Sequence, residues 1–199
     1  VALRCVSRAT DECARVGAAN TLVRRPEGWM AHNTDARGMA MALERELRGG
    51  LSAQLSSCVV LGSGGSARAA LVALESLGAR AVTVAARNLA GAAWAEGFGA
   101  KAEDVAEVDA GGFSLIVNCT PLGLDPEDPP PVPPDRIRPD AYVLDLTYAA
   151  RPSRLLRESA APGQDGRAML VAQAALAFSI WYGALPPVRE MAVVLDIDW

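Results

Sequence analysis

The chain has 199 residues, of which 51% are hydrophobic and 21% are charged, and this composition is typical of a globular protein and excludes a disordered one. The net charge is -4 and the arginines are scattered, which excludes the basic patch of a nucleic-acid-binding protein. No apolar segment reaches the ~20 uninterrupted residues of a membrane span, and the four cysteines lack metal-ligand spacing, so we expect a cytoplasmic protein with reduced thiols that does not contact membranes.

The first 50 residues predict a hairpin between two helical segments. The elements are a mixed, helical segment at 1–15, strands at 18–23 and 29–34 joined by a turn, and a helix at 36–47 that stops at a glycine pair. Asp35 lies between the second strand and the second helix. Its carboxylate can serve as a helix N-cap or can carry chemistry, and the local pattern leaves both interpretations open.

A glycine-rich turn follows the apolar strand predicted at 57–61 and precedes a helix that stops at Gly78. In a dinucleotide-binding fold, the glycines of such a turn let backbone N–H groups approach a pyrophosphate at the helix N-terminus. An ordinary tight connection is the alternative interpretation. The candidate pyrophosphate-binding residues are Gly62, Ser63, Gly64, Gly65 and Ser66.

The next predicted strand, at 81–86, ends where a dinucleotide-binding fold places an acid for NAD or a basic residue for the 2′-phosphate of NADP. The residues at this position are Ala86, Arg87 and Asn88, and none of them is acidic. A guanidinium group suits a phosphate, so the pattern favours NADP. The alternative is an ordinary surface arginine.

The remaining elements continue the alternation of strands and helices. They are a helix at 89–98, a strand at 113–118, a proline-dense loop at 125–135, a strand at 142–148, and helices at 152–158 and 168–182. The segment at 159–167 is too short and polar to predict a strand. The alternation implies a Rossmann-type, doubly wound parallel sheet of the α/β class. Gln173 is strongly polar in an apolar helix, which indicates either a hydrogen-bonding group of the core or a ligand contact.

Six short motifs follow one another along nearly the whole chain, and together they resemble the shikimate dehydrogenase family. They are GAANT at 17–21, NTD at 33–35, GSGGSA at 62–67, NCTPLG at 118–123, DLTY at 145–148 and MLVAQA at 169–174. The resemblance implies an NADP-dependent oxidoreductase that interconverts 3-dehydroshikimate and shikimate on the route to chorismate and the aromatic amino acids. It implies a small-molecule substrate and is compatible with a homodimer.

The resemblance also assigns roles to individual residues. Asn20 and Asp35 would contact the substrate, with Asp35 as one member of a catalytic lysine–aspartate pair. Tyr148 and Gln173 would bind the hydroxyl and carboxylate groups of the substrate. On the cofactor side, the turn at 62–66 would hold the pyrophosphate. The 2′-phosphate would be surrounded by Ala86, Arg87 and Asn88, and the nicotinamide would be lined by Leu146, Gly166 and Met169.

The same resemblance implies how the chain divides. Residues 1–48 would be the C-terminal part of a substrate-binding domain, 49–166 an NADP-binding Rossmann domain, and 167–199 closing helices that return to the substrate domain. In the family, the catalytic lysine lies upstream of the GAANT motif. Lys101 is the one lysine of this sequence and falls in the nucleotide-binding part, so we expect a C-terminal portion that is inactive or weakly active alone.

Two alternatives to this function stay open. One is a quinate or aminoshikimate dehydrogenase, because the substrates of these enzymes differ from shikimate in substituents that the motifs above do not distinguish. A nucleotide-binding module without catalysis would also explain a sequence that lacks the paired lysine. His32, the single histidine, precedes the NTD motif, and we interpret it as a strand residue without a catalytic role.

Overall fold

A computed structural model describes residue 3 and residues 5–47, 50–125 and 127–199. The N-terminal part forms a small sheet with strand order β1-β3-β2. Its elements are β1 (Arg8–Ala9), α1 (Asp11–Val16), β2 (Thr21–Arg25), β3 (Gly28–His32) and α2 (Asp35–Glu46). β2 and β3 pair antiparallel, which confirms the predicted hairpin, and β1 pairs parallel with β3. The predicted stop at Gly49 lies outside the described residues.

The helical prediction for residues 1–15 is wrong at Arg8–Ala9, where a short strand precedes the helix, and residues 1, 2 and 4 of that prediction lie outside the described residues. α1 begins at Asp11, where the Thr10 hydroxyl accepts a hydrogen bond from the backbone N–H of Cys13. A side-chain cap of this kind satisfies an N–H group that the helix itself leaves unpaired, so it fixes the helix start.

The second sheet has six parallel strands in the order β6-β5-β4-β7-β8-β9, which confirms the Rossmann-type α/β fold. Its strands are β4 (Cys58–Leu61), β5 (Val82–Ala86), β6 (Lys101–Asp104), β7 (Leu115–Asn118), β8 (Tyr142–Asp145) and β9 (Gly163–Gln164). The helices are α3 (Leu51–Gln54), α4 (Gly65–Ser76), α5 (Leu89–Ala92), α6 (Arg154–Glu158), α7 (Arg167–Tyr182) and α8 (Val188–Val194). Short 3₁₀ helices occur at Ala93–Phe98, Ala110–Gly112 and Pro134–Arg136.

The sequence did not predict the two edge strands, β6 and β9. β6 has the sequence KAED, whose polar side chains give no apolar pattern. β9 is two residues long, and it lies close to β8 because Gly163 has no side chain. A Cβ atom at Gly163 would lie 2.6 Å from the carbonyl oxygen of Val143. The predicted helix at 89–98 also changes at Ala93 from α-helix to 3₁₀ helix.

The core lies on both faces of the large sheet, whose strands β4, β7 and β8 are buried along their whole length. On one face, Leu74 and Leu144 pack in a cluster that also takes in Met39 and Leu43 of α2. On the other face, Ile116 and Leu155 belong to a second cluster. Burying one such side chain stabilises the fold by about 1.5–3 kcal/mol. Because α2 contributes to the first cluster, the N-terminal part is packed onto the large sheet.

A close contact between α2 and α7 depends on a glycine. A Cβ atom at Gly38 would lie 2.9 Å from both the backbone nitrogen and the Cβ of Gln173. Real Cβ atoms do not approach so closely, so only glycine allows this helix separation. The contact brings the first turn of α2, which carries Asp35, beside α7, which carries Gln173.

Candidate active site

A cavity of about 250 Å³ lies where the N-terminal part meets the loops at the carboxyl ends of the parallel strands. This is the edge where open α/β sheets bind ligands. Its lining residues are Asn20, Asp35, Ser66, Leu146, Tyr148, Gly166, Met169, Leu170 and Gln173. The cavity thus brings together all four candidate substrate residues and four of the candidate cofactor residues. A larger cavity of about 660 Å³ is lined by none of the residues predicted for the site.

Asp35 is the first residue of α2, but its carboxyl group does not cap the helix. The capping group is the side chain of Asn33, whose Oδ1 accepts hydrogen bonds from the backbone N–H groups of Asp35 at 3.0 Å and Ala36 at 3.2 Å. The N-cap interpretation of Asp35 is therefore wrong, and the carboxyl group is available to the cavity. The sequence signal for this arrangement was present, because asparagine is a preferred capping residue.

The environment of Asp35 changes its acidity. Burial raises the pKa of the Asp35 carboxyl group, because the charged form loses hydration, and the hydrogen bond from Asn20 opposes this effect in part. The net shift is upward. A carboxyl group with a raised pKa holds its proton closer to neutral pH, which suits a group that exchanges protons with a ligand oxygen.

Asn20 is held in one orientation by its neighbours. Its Oδ1 accepts hydrogen bonds at 3.0 Å from the Thr21 hydroxyl and from the backbone N–H of Thr34. Its Nδ2 must therefore face the other way, where it donates to Asp35 Oδ1 at 2.8 Å and to the Thr34 hydroxyl at 2.9 Å. Asn20 thus fixes the carboxyl group of Asp35 in the cavity.

Two further polar groups face the cavity, one from α7 and one from the loop after β8. Gln173 donates from Nε2 to the Leu170 carbonyl oxygen at 3.0 Å, and its Oε1 lies 3.5 Å from the Thr34 hydroxyl. Tyr148 is 47% exposed, and its hydroxyl group makes no hydrogen bond to any residue that the structure describes. Both side chains can reach a polar ligand in the cavity.

The glycine-rich turn has the geometry of an anion-binding loop. Gly62 has a φ of 108°, and a Cβ atom there would lie 3.2 Å from the carbonyl oxygen of Cys119. Gly64 precedes α4 in an extended conformation without a side-chain cap, and a Cβ atom there would meet nothing within 4 Å. The first N–H groups of this 12-residue helix are thus open to an anion. Of the five turn residues, Ser66 lines the cavity. The other four, Gly62 to Gly65, precede it in the chain and are not among the lining residues.

The residues predicted to surround the 2′-phosphate lie outside the cavity, at the carboxyl end of β5. Ala86 is the buried last residue of β5, and Arg87 and Asn88 are exposed. The Asn88 side chain caps α5 by accepting from the N–H of Gly91 at 3.2 Å. The guanidinium group of Arg87 has no hydrogen bond or ion pair within the described residues, so it is available for a ligand.

The residues predicted to line the nicotinamide lie at a close contact between the end of β8 and the start of α7. A Cβ atom at Gly166 would overlap the Leu146 carbonyl oxygen, so only glycine fits between α7 and the end of β8. The backbone N–H of Gly166 also donates to the Thr147 carbonyl oxygen at 3.2 Å. Met169 follows one turn later on the buried side of α7.

Sequence reasoning missed three features of the site. The capping role of Asn33 and the contact at Gly38 were not predicted, and Leu170 was not among the candidates although it lines the cavity. In the described ranges, no three His, Cys, Asp or Glu side chains are placed to hold a metal ion. No helix in the described part of the chain has the length and apolar character to cross a membrane.

Comparison with known proteins identifies relatives along most of the chain, although no family model matches it. Shikimate dehydrogenase (NADP(+)) of Cereibacter sphaeroides is 39% identical over an alignment of 190 positions, which covers 91% of this chain and 68% of that protein. The protein of the same name from Halorubrum lacusprofundi is 39% identical over an alignment of 204 positions, which covers 92% of this chain and 70% of the relative.

Solved structures agree with these relatives. Shikimate 5-dehydrogenase from Thermus thermophilus in complex with NADP(H) and shikimate is 34% identical with a TM-score of 0.82, covering 96% of this chain and 72% of its own. Quinate dehydrogenase from Corynebacterium glutamicum in complex with NAD is 26% identical with a TM-score of 0.87, covering 98% of this chain and 73% of its own. With the sheet, the glycine turn and the shared cavity, these likenesses show that the chain belongs to the shikimate dehydrogenase family of enzymes.

Proposed function

We propose that the chain carries the cofactor site and the acid–base aspartate of an NADP-dependent oxidoreductase that interconverts 3-dehydroshikimate and shikimate. One observation supports this most strongly. A single cavity places the polar groups of Asn20, Asp35, Tyr148 and Gln173 against the residues expected to line a nicotinamide. The relatives named above carry this activity in their names.

The residues present fit a dinucleotide. Gly62 and Gly64 leave the helix N-terminus open, and Gly166 allows α7 to lie against the end of β8, where Leu146 and Met169 form an apolar wall. When bound, NADP supplies hydride transfer. Arg87, exposed at the end of β5, would bind the 2′-phosphate and so select NADP over NAD.

The polar residues would orient the substrate and move a proton. The Asp35 carboxyl group would exchange a proton with the substrate oxygen that changes between ketone and alcohol, and its raised pKa favours this exchange. Asn20 would hold Asp35 in position. The Tyr148 hydroxyl and the Gln173 amide would bind the substrate's carboxylate and remaining hydroxyl groups, because they are uncharged groups that donate and accept hydrogen bonds.

The proton-transfer partner that the family supplies as a lysine is not Lys101. This residue lies on the edge strand β6, and strands β5, β4 and β7 separate it from β8. Removal of a general acid–base group typically lowers a rate by about 10²–10⁴-fold, so we propose that this chain alone turns over weakly or not at all.

The division of the chain is part of the same proposal. We assign residues 1–48 to a substrate-binding domain, 49–166 to the NADP-binding domain, and 167–199 to helices that return to the substrate side. The packing of α2 against both α4 and α7 supports this assignment, because it joins the two parts around the cavity.

Calorimetric titration of the chain tests this function. We expect binding of NADPH in preference to NADH, and binding of shikimate that depends on Asp35. A folded chain, shown by circular dichroism, that binds neither dinucleotide would contradict the proposal. Binding of NADPH without any affinity for a cyclic hydroxy acid would instead support a nucleotide-binding module.

Quinate is the second candidate substrate. The likeness to quinate dehydrogenase, with a TM-score of 0.87, favours it. The same titration with quinate and shikimate in parallel decides between them, because the two acids compete for the same polar groups. Tighter binding of quinate, or a preference for NADH, would replace the leading assignment.

A further inference from the structure

A buried acidic group lies directly behind the cavity and has no assigned role. Asp145 is the last residue of β8, and its side chain has no exposed surface. Among the described residues, no arginine or lysine pairs with it. Burying a carboxyl group costs free energy unless hydrogen bonds compensate for the lost hydration, so the structure must supply donors.

Four donors converge on this carboxyl group. Its Oδ1 accepts from Asn118 Nδ2 at 2.9 Å and from Thr147 twice, through the backbone N–H at 3.0 Å and the hydroxyl at 2.9 Å. Its Oδ2 accepts from the Ser153 hydroxyl. These donors come from the end of β7, from the loop after β8 and from the start of α6. The carboxyl group therefore joins three separate segments at the carboxyl edge of the sheet.

The loop after β7 closes over the same group. Asn118 Nδ2 also donates to the Leu122 carbonyl oxygen at 3.0 Å. A Cβ atom at Gly123 would lie 2.8 Å from both the Ser153 Cβ and the Thr147 hydroxyl oxygen. This loop thus packs directly on the residues that bind Asp145, and it shields them from solvent.

The connection to the cavity runs through Thr147. Thr147 lies between Leu146 and Tyr148, which line the cavity, and its carbonyl oxygen accepts from the N–H of Gly166, which also lines it. We propose that Asp145 is a positioning residue, whose buried hydrogen bonds fix the course of the loop that carries Leu146 and Tyr148. The inference deepens the proposed function, because it says what holds that loop in its binding position.

Two substitutions separate hydrogen-bond geometry from charge. Asp145→Asn keeps Oδ1 as the acceptor for three donors, and its new Nδ2 can donate to the Ser153 hydroxyl, so the loop keeps its course. Asp145→Ala removes the acceptor of all four hydrogen bonds, and Asn118 Nδ2 keeps only its bond to the Leu122 carbonyl oxygen. If Asp145 were instead a reacting group, both variants would lose its carboxyl group, and the asparagine variant would fail as completely as the alanine variant. Asp145 does not line the cavity, so we expect the asparagine variant to keep its function.

Ser114→Ala is the matched control. Ser114 is also buried, and its hydroxyl oxygen lies within hydrogen-bond distance of the carbonyl oxygens of Gln54 at 2.7 Å and Ser57 at 2.8 Å, to one of which it donates. It directly precedes β7 and so lies at the opposite edge of the sheet, away from the cavity. Its removal should lower stability without changing the site.

The experiment measures hydrogen exchange of the Thr147 amide, thermal stability, and affinities for NADPH and shikimate in all four proteins. We expect faster Thr147 exchange in Asp145→Ala alone, with affinity for at least one ligand lowered about 10- to 100-fold, because small displacements of binding groups are costly. The asparagine variant should behave like the parent chain, and Ser114→Ala should lose stability only.

Unchanged Thr147 exchange in Asp145→Ala would overturn the inference, and so would an asparagine variant that fails equally. If the parent chain binds no ligand, the proposed function fails, while the exchange data still judge the role of Asp145. If Asp145→Ala does not fold, hydrogen exchange in the asparagine variant is compared with that in Ser114→Ala. Faster exchange confined to the Thr147 amide of the asparagine variant would contradict the geometric role.

Discussion

At the scale of single residues, the site depends on groups that fix other groups. The Asn33 side chain caps α2, so the Asp35 carboxyl group does not cap it, and Asn20 Nδ2 donates a hydrogen bond to that carboxyl group. The sequence pattern identified Asn20 and Asp35 through resemblance, but it did not distinguish the capping residue from the chemical one. That distinction depends on which carboxyl or amide oxygen reaches the helix N–H groups, and only the folded backbone decides it.

The raised pKa of Asp35 predicts a pH dependence of stability. Because the folded pKa lies above the unfolded one, the folded state binds more protons between the two values, and the free energy of unfolding falls as pH rises through that window. Asp35→Asn should remove this fall and keep the hydrogen bond from Asn20 Nδ2. Urea unfolding of both proteins across acidic to neutral pH measures it, and parallel curves at every pH would contradict the prediction.

Arg87 predicts a selective loss of affinity. Arg87→Ala should weaken binding of NADPH by about tenfold or more, since a hydrogen bond to a charged group contributes about 1.5–3 kcal/mol, and should leave NADH binding unchanged. Arg80→Ala is the matched control, because Arg80 is also exposed but precedes the same strand instead of following it. Equal losses for both dinucleotides in calorimetric titration would exclude a 2′-phosphate contact.

At the scale of elements, the helix pair α2 and α7 determines the cavity, and their separation depends on Gly38. Gly38→Ala should cost about 1–3 kcal/mol, as overpacking does, and should weaken shikimate binding by moving Gln173 away from Asp35. Gly97→Ala is the control, because a Cβ there would meet nothing within 4 Å. Thermal unfolding and titration check both effects, and equal behaviour of the two variants would refute the contact.

The elements also show which features a sequence can reveal. The buried strands β4, β5, β7 and β8 were predicted because apolar runs between turns are typical of a parallel sheet. The edge strands β6 and β9 were not, because a polar or two-residue strand is formed by pairing with its neighbour instead of by its own pattern. In the same way, the contacts at Gly38 and Gly166 join residues far apart in sequence, and no local signal reports them.

At the scale of the whole molecule, an apolar patch lies at the end of α7. The rings of Phe178 and Tyr182 are in contact, with centres 4.5 Å apart and planes tilted by 37°, and Trp181 donates from its indole N–H to the Leu22 carbonyl oxygen at 3.0 Å. Tyr182 is 70% exposed and Leu185 is 80% exposed. Exposed apolar patches of this kind promote association, so we expect this chain to self-associate at this surface.

Light scattering over a concentration series measures this association. Joint substitution of Tyr182 and Leu185 by serine should lower it. The same substitution of Val193 and Val194, which are 73% and 83% exposed on α8, should have less effect. A monodisperse monomer at every concentration would contradict the prediction.

The return of α7 to α2 has a consequence for how the protein is made. Residues that line the cavity range from Asn20 to Gln173, so the first groups of the site are synthesised long before the last. Domains emerge from the ribosome beginning with the N-terminus, and contacts between distant residues form late. The glycine turn and its sheet can therefore assemble first, whereas the substrate side stays incomplete until α7 is released. A chain that is truncated before Arg167 and released from the ribosome should bind a dinucleotide without distinguishing one hydroxy acid from another.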